Sequence, residues 1–249
     1  MRRATFLMMA GLLVLLAGAA PAAAQTFSLD FGDGSSTTGR IVQLLALLTV
    51  LSLAPSILVM VTSFTRIVVV LSFLRSALGL QQTPPNAVLI SLALFLTAFI
   101  MAPVLEEAYT EGLEPLIEQR ITEEEAFERA VAPVHRFMMR HVRDQDLALF
   151  IEMSGNVEIE VPEDTPLRIL VPAFLISELR RAFEIGFLLF VPFLIIDMVV
   201  ASILMSMGMM MLPPIMISLP FKLIFFVLVD GWSLIASSLV QSFGSSGGG

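Results

Sequence analysis

The sequence predicts an all-α integral membrane protein carrying one acidic, water-facing insert, and three observations predict it. Of 249 residues, 57% are hydrophobic and 14% charged, against about 45–50% and about 25% in soluble domains. Four apolar stretches, 41–61, 87–105, 185–205 and 212–229, each come near the ~20 residues that cross a hydrocarbon core. Charge is concentrated between Glu106 and Glu184, which hold 18 of the 22 acidic residues but 8 of the 14 basic ones.

The same composition excludes several functions. Zero cysteines remove disulfides, thiolate metal sites and cysteine nucleophiles. An isoelectric point near 4.8 opposes nucleic-acid binding, which needs a basic face. One lysine, Lys222, is too few for polybasic lipid recognition. No nucleotide-binding G-x-x-x-x-G-K-[ST] occurs. The histidines, His135 and His141, lie in the insert, six residues apart and so about 120° apart on a helix. That spacing disfavours a metal pair, and an intramembrane protease would need its base at membrane depth. We expect no catalytic residue, metal or cofactor.

Taken in order, residues 1–24 read as a secretory signal: Arg2 and Arg3, an apolar run, then Ala22-Ala23-Ala24 as a cleavage site. A mature chain would then begin at Gln25, and the Gly/Ser/Thr-rich residues 25–39 form a flexible lead-in. The first hydrophobic hairpin spans 40–105, the acidic insert 106–184, the second hydrophobic hairpin 185–243, and a Gly-rich tail 244–249. Pro55, Pro103, Pro192, Pro213, Pro214 and Pro220 fall in or beside the apolar stretches. Prolines there are tolerated when neighbouring helices satisfy the freed carbonyls, which points to broken helices packed on protein.

Arg66 and Arg75 are nine residues apart and so face opposite sides of a helix. Their segment, 64–80, is predicted to lie against protein or at the interface. Within the insert, Thr122 and Glu125 form a capping box. Phe127, Val131, Val134, Phe137, Met138 and His141 recur at helical spacing. A short helix is predicted over 146–153, closed by Gly155, a strand over 157–161, and a helix start at Thr165-Pro166.

Two features stand out inside the apolar segments. Asp197 and Lys222 would each cost about 2.5–3.5 kcal/mol alone at mid-membrane. Counted from the turn between them, they lie at roughly 15 and 14 Å at ~1.5 Å per residue. The matched depths predict an ion pair, within the hairpin or between copies; an ion path lined by the two charges is the alternative. Met205, Met207, Met209, Met210 and Met211 crowd that turn around Gly208. They read either as flexible core filler or as a mobile apolar loop able to close a pore.

Three stretches together resemble the FliP family of flagellar biosynthesis proteins, whose injectisome relatives form the SctR group. They are FTRIVVVLSFLRSALGLQQTPPN (64–86), VPAFLISELRRAFEIG (171–186) and DMVVASILMSMGMMMLPP (197–214). The resemblance implies kinked helical hairpins assembling into a ring, a pentamer in the family, at the core of the type III export gate. FliQ-like and FliR-like subunits, other export-apparatus proteins and unfolded export substrates are the implied partners. The implied location is the bacterial inner membrane, in the flagellar basal body, with the insert periplasmic. Residues 205–211 correspond to the family's methionine-rich constriction and the insert to its ring-assembly region. Arg66, Arg75, Phe137, Phe150, Glu178, Arg180 and Arg181 become candidate subunit contacts. The equivalent injectisome subunit is the nearest alternative, and a small-ion channel or transporter the alternative of another class. The signal peptide favours the flagellar branch.

Overall fold

A computed structural model describes residues 37–155, 164–209 and 211–244. The expected signal peptide, nearly all of the lead-in and tail, the expected strand and Met210 lie outside the described residues. The chain forms two compact units that divide after Ser52. The first is described through its helical residues 37–52, the beginning of α1 (Thr37–Val61).

In the second unit, helices are joined by short turns, and no strand occurs among the described residues. The unit contains the end of α1, then α2 (Phe64–Ala77) and α3 (Asn86–Ala108). A π-helical turn (Tyr109–Leu113) runs from α3 into the single-turn α4 (Glu114–Ile117). Then come α5 (Glu123–His141), α6 (Asp144–Met153) and α7 (Leu167–Ser206). Helices α8 (Pro214–Leu228) and α9 (Gly231–Gly244) end the described chain. Among the described residues, three helical segments are long and apolar enough to cross a membrane: Leu44–Val61, Asn86–Ile117 and Leu167–Ser206. The α8–α9 pair becomes a fourth if taken together across its 62° bend.

Local chemistry sets these boundaries. Helix α2 ends where Gly79 takes φ +77°, and the Gly79 and Leu80 amides return to the Ser76 and Arg75 carbonyls, a Gly-terminated stop. Thr122 caps α5, its hydroxyl accepting from the Glu125 amide at 3.3 Å. Gly155, at φ +61°, follows α6. The helix expected from Thr165-Pro166 begins one residue later, with Pro166 as its N-cap.

Helix α7 crosses the expected domain boundary at 184/185. It runs unbroken for 40 residues through Pro172 and Pro192, joining the end of the acidic insert to the third apolar stretch. A proline removes one intrahelical bond, and neither position ends the helix. The fourth apolar stretch forms α8 and ends where expected. Asp230 at φ +48° turns the chain, and a Cβ on Gly231 would lie 2.1 Å from the Phe226 ring. That close approach starts the separate helix α9.

The core forms where α2 lies along α7. Ile67, Val70, Leu71 and Leu74 of α2 meet Leu170, Ala173, Phe174 and Ala182 of α7, all at 2% exposure or less. Phe73 occupies the space over Gly186 and meets Phe183 edge-on at 5.0 Å. Helix α3 adds Leu89, Ala93 and Met101, α5 adds Phe137 and Met138, and α9 adds Leu239.

The π turn sits on α5 through Gly112. A Cβ there would lie 2.7 Å from Ala130 Cβ and 2.8 Å from both Ala126 O and Ala130 N. Backbone cannot rotate aside as a side chain can, so Gly112→Ala must push α5 away. We expect a loss of about 1–3 kcal/mol, read as a lower midpoint of thermal unfolding in detergent. An unchanged midpoint would show that the π turn does not hold α5.

Candidate functional site: the charged hairpin and the methionine turn

Asp197 on α7 and Lys222 on α8 meet across the hairpin of a single chain, Lys222 Nζ lying 2.7 Å from Asp197 Oδ2. Matched distance from the turn makes this possible, and two further groups complete it. The Ser218 hydroxyl donates to Asp197 Oδ1 at 2.5 Å, and Lys222 Nζ donates to the Ala77 carbonyl at 3.1 Å. Ala77 is the last residue of α2, where unpaired carbonyls carry partial negative charge. Lys222 therefore closes the hairpin and ties it to α2 together.

The burial is unequal: the Lys222 side chain is 3% exposed and that of Asp197 27%. The ammonium is thus the group committed to the interior. Ser218 and the Ala77 carbonyl were absent from the sequence expectation. Ser218 had a legible signal, standing four residues before Lys222 and so on the same helix face. The carbonyl had none, since any residue at position 77 presents one.

Beyond the pair the hairpin opens into the methionine turn. Met205 and Met207 are 59% and 66% exposed, Met209 41% and Met211 98%. Gly208 adopts φ +72°, and an added Cβ there would meet nothing within 4 Å. Backbone conformation, not crowding, makes glycine suitable at this position. Pro213 and Pro214 then start α8 without wasting an amide donor. The turn is a protruding thioether surface. An apolar recess of about 530 Å³ lies below it between α7 and α8, walled by Val199, Ile203, Met207 and Phe221 among others.

The seven candidate subunit contacts separate. Arg66 and Glu178 are 1% and 0% exposed and face each other inside the chain. Arg66 Nε donates to Glu178 Oε2 at 2.9 Å, and Nη2 to the other carboxylate oxygen. Its Nη1 donates to the Ser242 hydroxyl at 3.0 Å, and its guanidinium carbon stacks 3.7 Å from the Phe243 ring centre. Arginine's planar fork suits this bidentate pairing and the stacking alike. Phe137, 7% exposed, packs on Phe174 and Phe243. Arg66, Glu178 and Phe137 are thus packed inside their own chain in the single-chain structure.

Arg75 is half-buried and engaged locally, its Nη1 donating to Asn86 Oδ1 at 2.5 Å and to the Pro84 carbonyl at 3.3 Å. The two arginines do face apart, one into the core and one onto the loop before α3. Phe150 is half-buried and lines a cavity at the α6–α7 junction. Arg180 is exposed, 3.4 Å from Glu184. Arg181 is half-buried and adds positive potential at the Arg66–Glu178 pair.

His141 completes the enclosed polar cluster. Its Nδ1 lies 2.8 Å from the Phe137 carbonyl and its Nε2 3.3 Å from the Phe243 carbonyl. Burial pushes the imidazole below its usual pKa, while the two carbonyls oppose that shift. His135 lies elsewhere, Nε2 2.7 Å from the Thr165 carbonyl. Among the described residues no group of three or more His, Asp or Glu could hold a metal.

Comparison with known proteins supplies the family. The chain is 58% identical to the flagellar biosynthetic protein FliP of Caulobacter vibrioides, over all of this chain and 94% of that protein. It is 60% identical to the protein of that name from Bacillus subtilis, over 81% of this chain and 91% of that one. The corresponding Pectobacterium carotovorum protein is 55% identical, over 85% and 82%. Residues 47–239 match the FliP family profile, a stretch that contains α2 to α8, the charged hairpin and the methionine turn. The chain belongs to the FliP family.

Proposed function

We propose that this chain is a ring-forming subunit of the flagellar protein export gate, with the methionine turn as the closure of the central conduit. In this reading several copies, with FliQ-like and FliR-like subunits, surround a path for unfolded flagellar proteins in the inner membrane. The insert faces the periplasm. The observation that carries the closure is the turn itself: Met205, Met207, Met209 and Met211 are all exposed beyond a hairpin pinned by a buried charge pair. Thioether side chains are apolar and adaptable, so a circle of such turns can exclude small solutes and still yield to varied polypeptides. The relatives' shared name, flagellar biosynthetic protein, supports the flagellar setting.

The pair's geometry favours a structural role over an ion path. Lys222 is held between a carboxylate and a helix-end carbonyl, and Asp197 between an ammonium and a hydroxyl. Neither charge is left facing a channel alone.

Replacing Met209, Met210 and Met211 together by alanine is expected to let ions and small solutes leak across membranes holding the assembled ring. Conductance of reconstituted complexes measures this. An assembled ring that stays as tight as the wild type would remove the closure role.

A further inference from the structure

The first turn of α7 separates two unlike surfaces of the insert. On the α5 side, Phe127 is 67% exposed beside Glu128, an exposed carboxylate that makes no ion pair among the described residues. On the α6 side lies a cavity of about 210 Å³ lined by Phe150, Met153, Ser154, Arg168 and Ile169. Met153 is 71% exposed. Arg168 is exposed, and among the described residues no ion pair or hydrogen bond engages its guanidinium. One surface thus offers a protruding aromatic ring beside a negative charge. The other offers an apolar recess of side-chain size beside a positive charge.

We infer that these surfaces are the two halves of one contact between copies of this chain. Phe127 of one copy enters the Phe150–Met153 recess of the next, with Glu128 against Arg168. The inference rests on the ring reading above and names a contact that builds the ring. Two different surfaces of one subunit that complement each other make a head-to-tail contact, the kind that closes into rings. Opposite charges at the rim fix register and discourage like-to-like pairing. The alternative, a two-fold contact, would set Glu128 against Glu128 or Arg168 against Arg168.

The chain has no cysteine, so disulfide trapping starts from a clean background. Full-length chains in native membranes, co-expressed with their FliQ-like and FliR-like partners, are oxidised and separated without reductant. Phe127→Cys with Met153→Cys in one chain should give a ladder of oligomers. Two chains carrying one substitution each should stop at dimers, and either alone should give none. In parallel, Glu128→Arg or Arg168→Glu alone should lower the ring fraction about tenfold, from like charges brought together at the rim. Both reversals together should restore it. Native mass spectrometry separates the two readings. A ring that forms without the ladder, or whose charge reversals are not mutually restoring, overturns this contact while leaving the ring intact. Dimers from a single cysteine overturn it in favour of two-fold pairing. Wild-type chains that form no ring with their partners overturn both readings.

Discussion

Exchanging Glu178 for alanine is expected to lower the unfolding free energy by about 3–5 kcal/mol, because it strands a guanidinium in the interior. Arg66 is 1% exposed, and both its Nε and Nη2 donate to the Glu178 carboxylate. Without that carboxylate it keeps only Ser242 and the face of Phe243, a hydroxyl and a ring that neutralise no charge. Arg181 would add repulsion to the loss. Removing both charges is a different experiment. Arg66→Met with Glu178→Leu takes away the desolvated ions together, and such replacements are often neutral or stabilising. The single variant should therefore unfold well below the wild type in detergent, with the double variant recovering most of the difference. A single variant as stable as the wild type would show that the enclosed pair is not what holds α2, α7 and α9 together. Ring formation is a second readout: any loss of assembly should follow the loss of fold and be restored by the double variant, since neither side chain reaches the surface.

The hairpin pair should respond asymmetrically. Asp197→Ala leaves the 3% exposed Lys222 ammonium with only the Ala77 carbonyl, and we expect a cost of about 3–5 kcal/mol. Lys222→Met should cost less, about 1–3 kcal/mol. The carboxyl it leaves behind is 27% exposed and keeps the Ser218 hydroxyl. Exchanging the charges, Asp197→Lys with Lys222→Asp, should rescue only in part. The transposed carboxylate would face the Ala77 carbonyl, and two acceptors repel. Denaturation midpoints of the three variants order these costs. Equal losses from the two single variants would contradict the unequal burial, and full rescue by exchange would show that the tie to α2 contributes nothing.

The hairpin pair and the Arg66–Glu178 pair show how differently two ionic sites can be read from a sequence. Asp197 and Lys222 stand out because each interrupts an apolar run, and equal spacing from a Pro/Gly-marked turn gives their register. That argument is local, so it needs only the helix rise. Arg66 and Glu178 are 112 residues apart, in different segments, each beside other charges. The only sequence signal was that Arg66 and Arg75 face apart, which requires one to enter protein without naming what it meets. Phe137 shows the same limit. Its helical spacing marked a buried face, and only the structure shows that α7 and α9 cover it.

By itself the sequence determined the helical class, the apolar segments, the position of the hairpin turn, the Thr122 cap and the register of Asp197 with Lys222. Each follows from periodicity, chain geometry or backbone preference over a few residues. Only the tertiary structure decided that α7 passes through Pro172 and Pro192 without a break, because a proline's local cost is outweighed by packing along both sides. It alone decided that α9 folds back over Arg66 and His141, and that Lys222 reaches the end of α2. Those contacts join residues about a hundred or more positions apart, and a hydrogen bond between distant segments leaves no period in the chain that makes it.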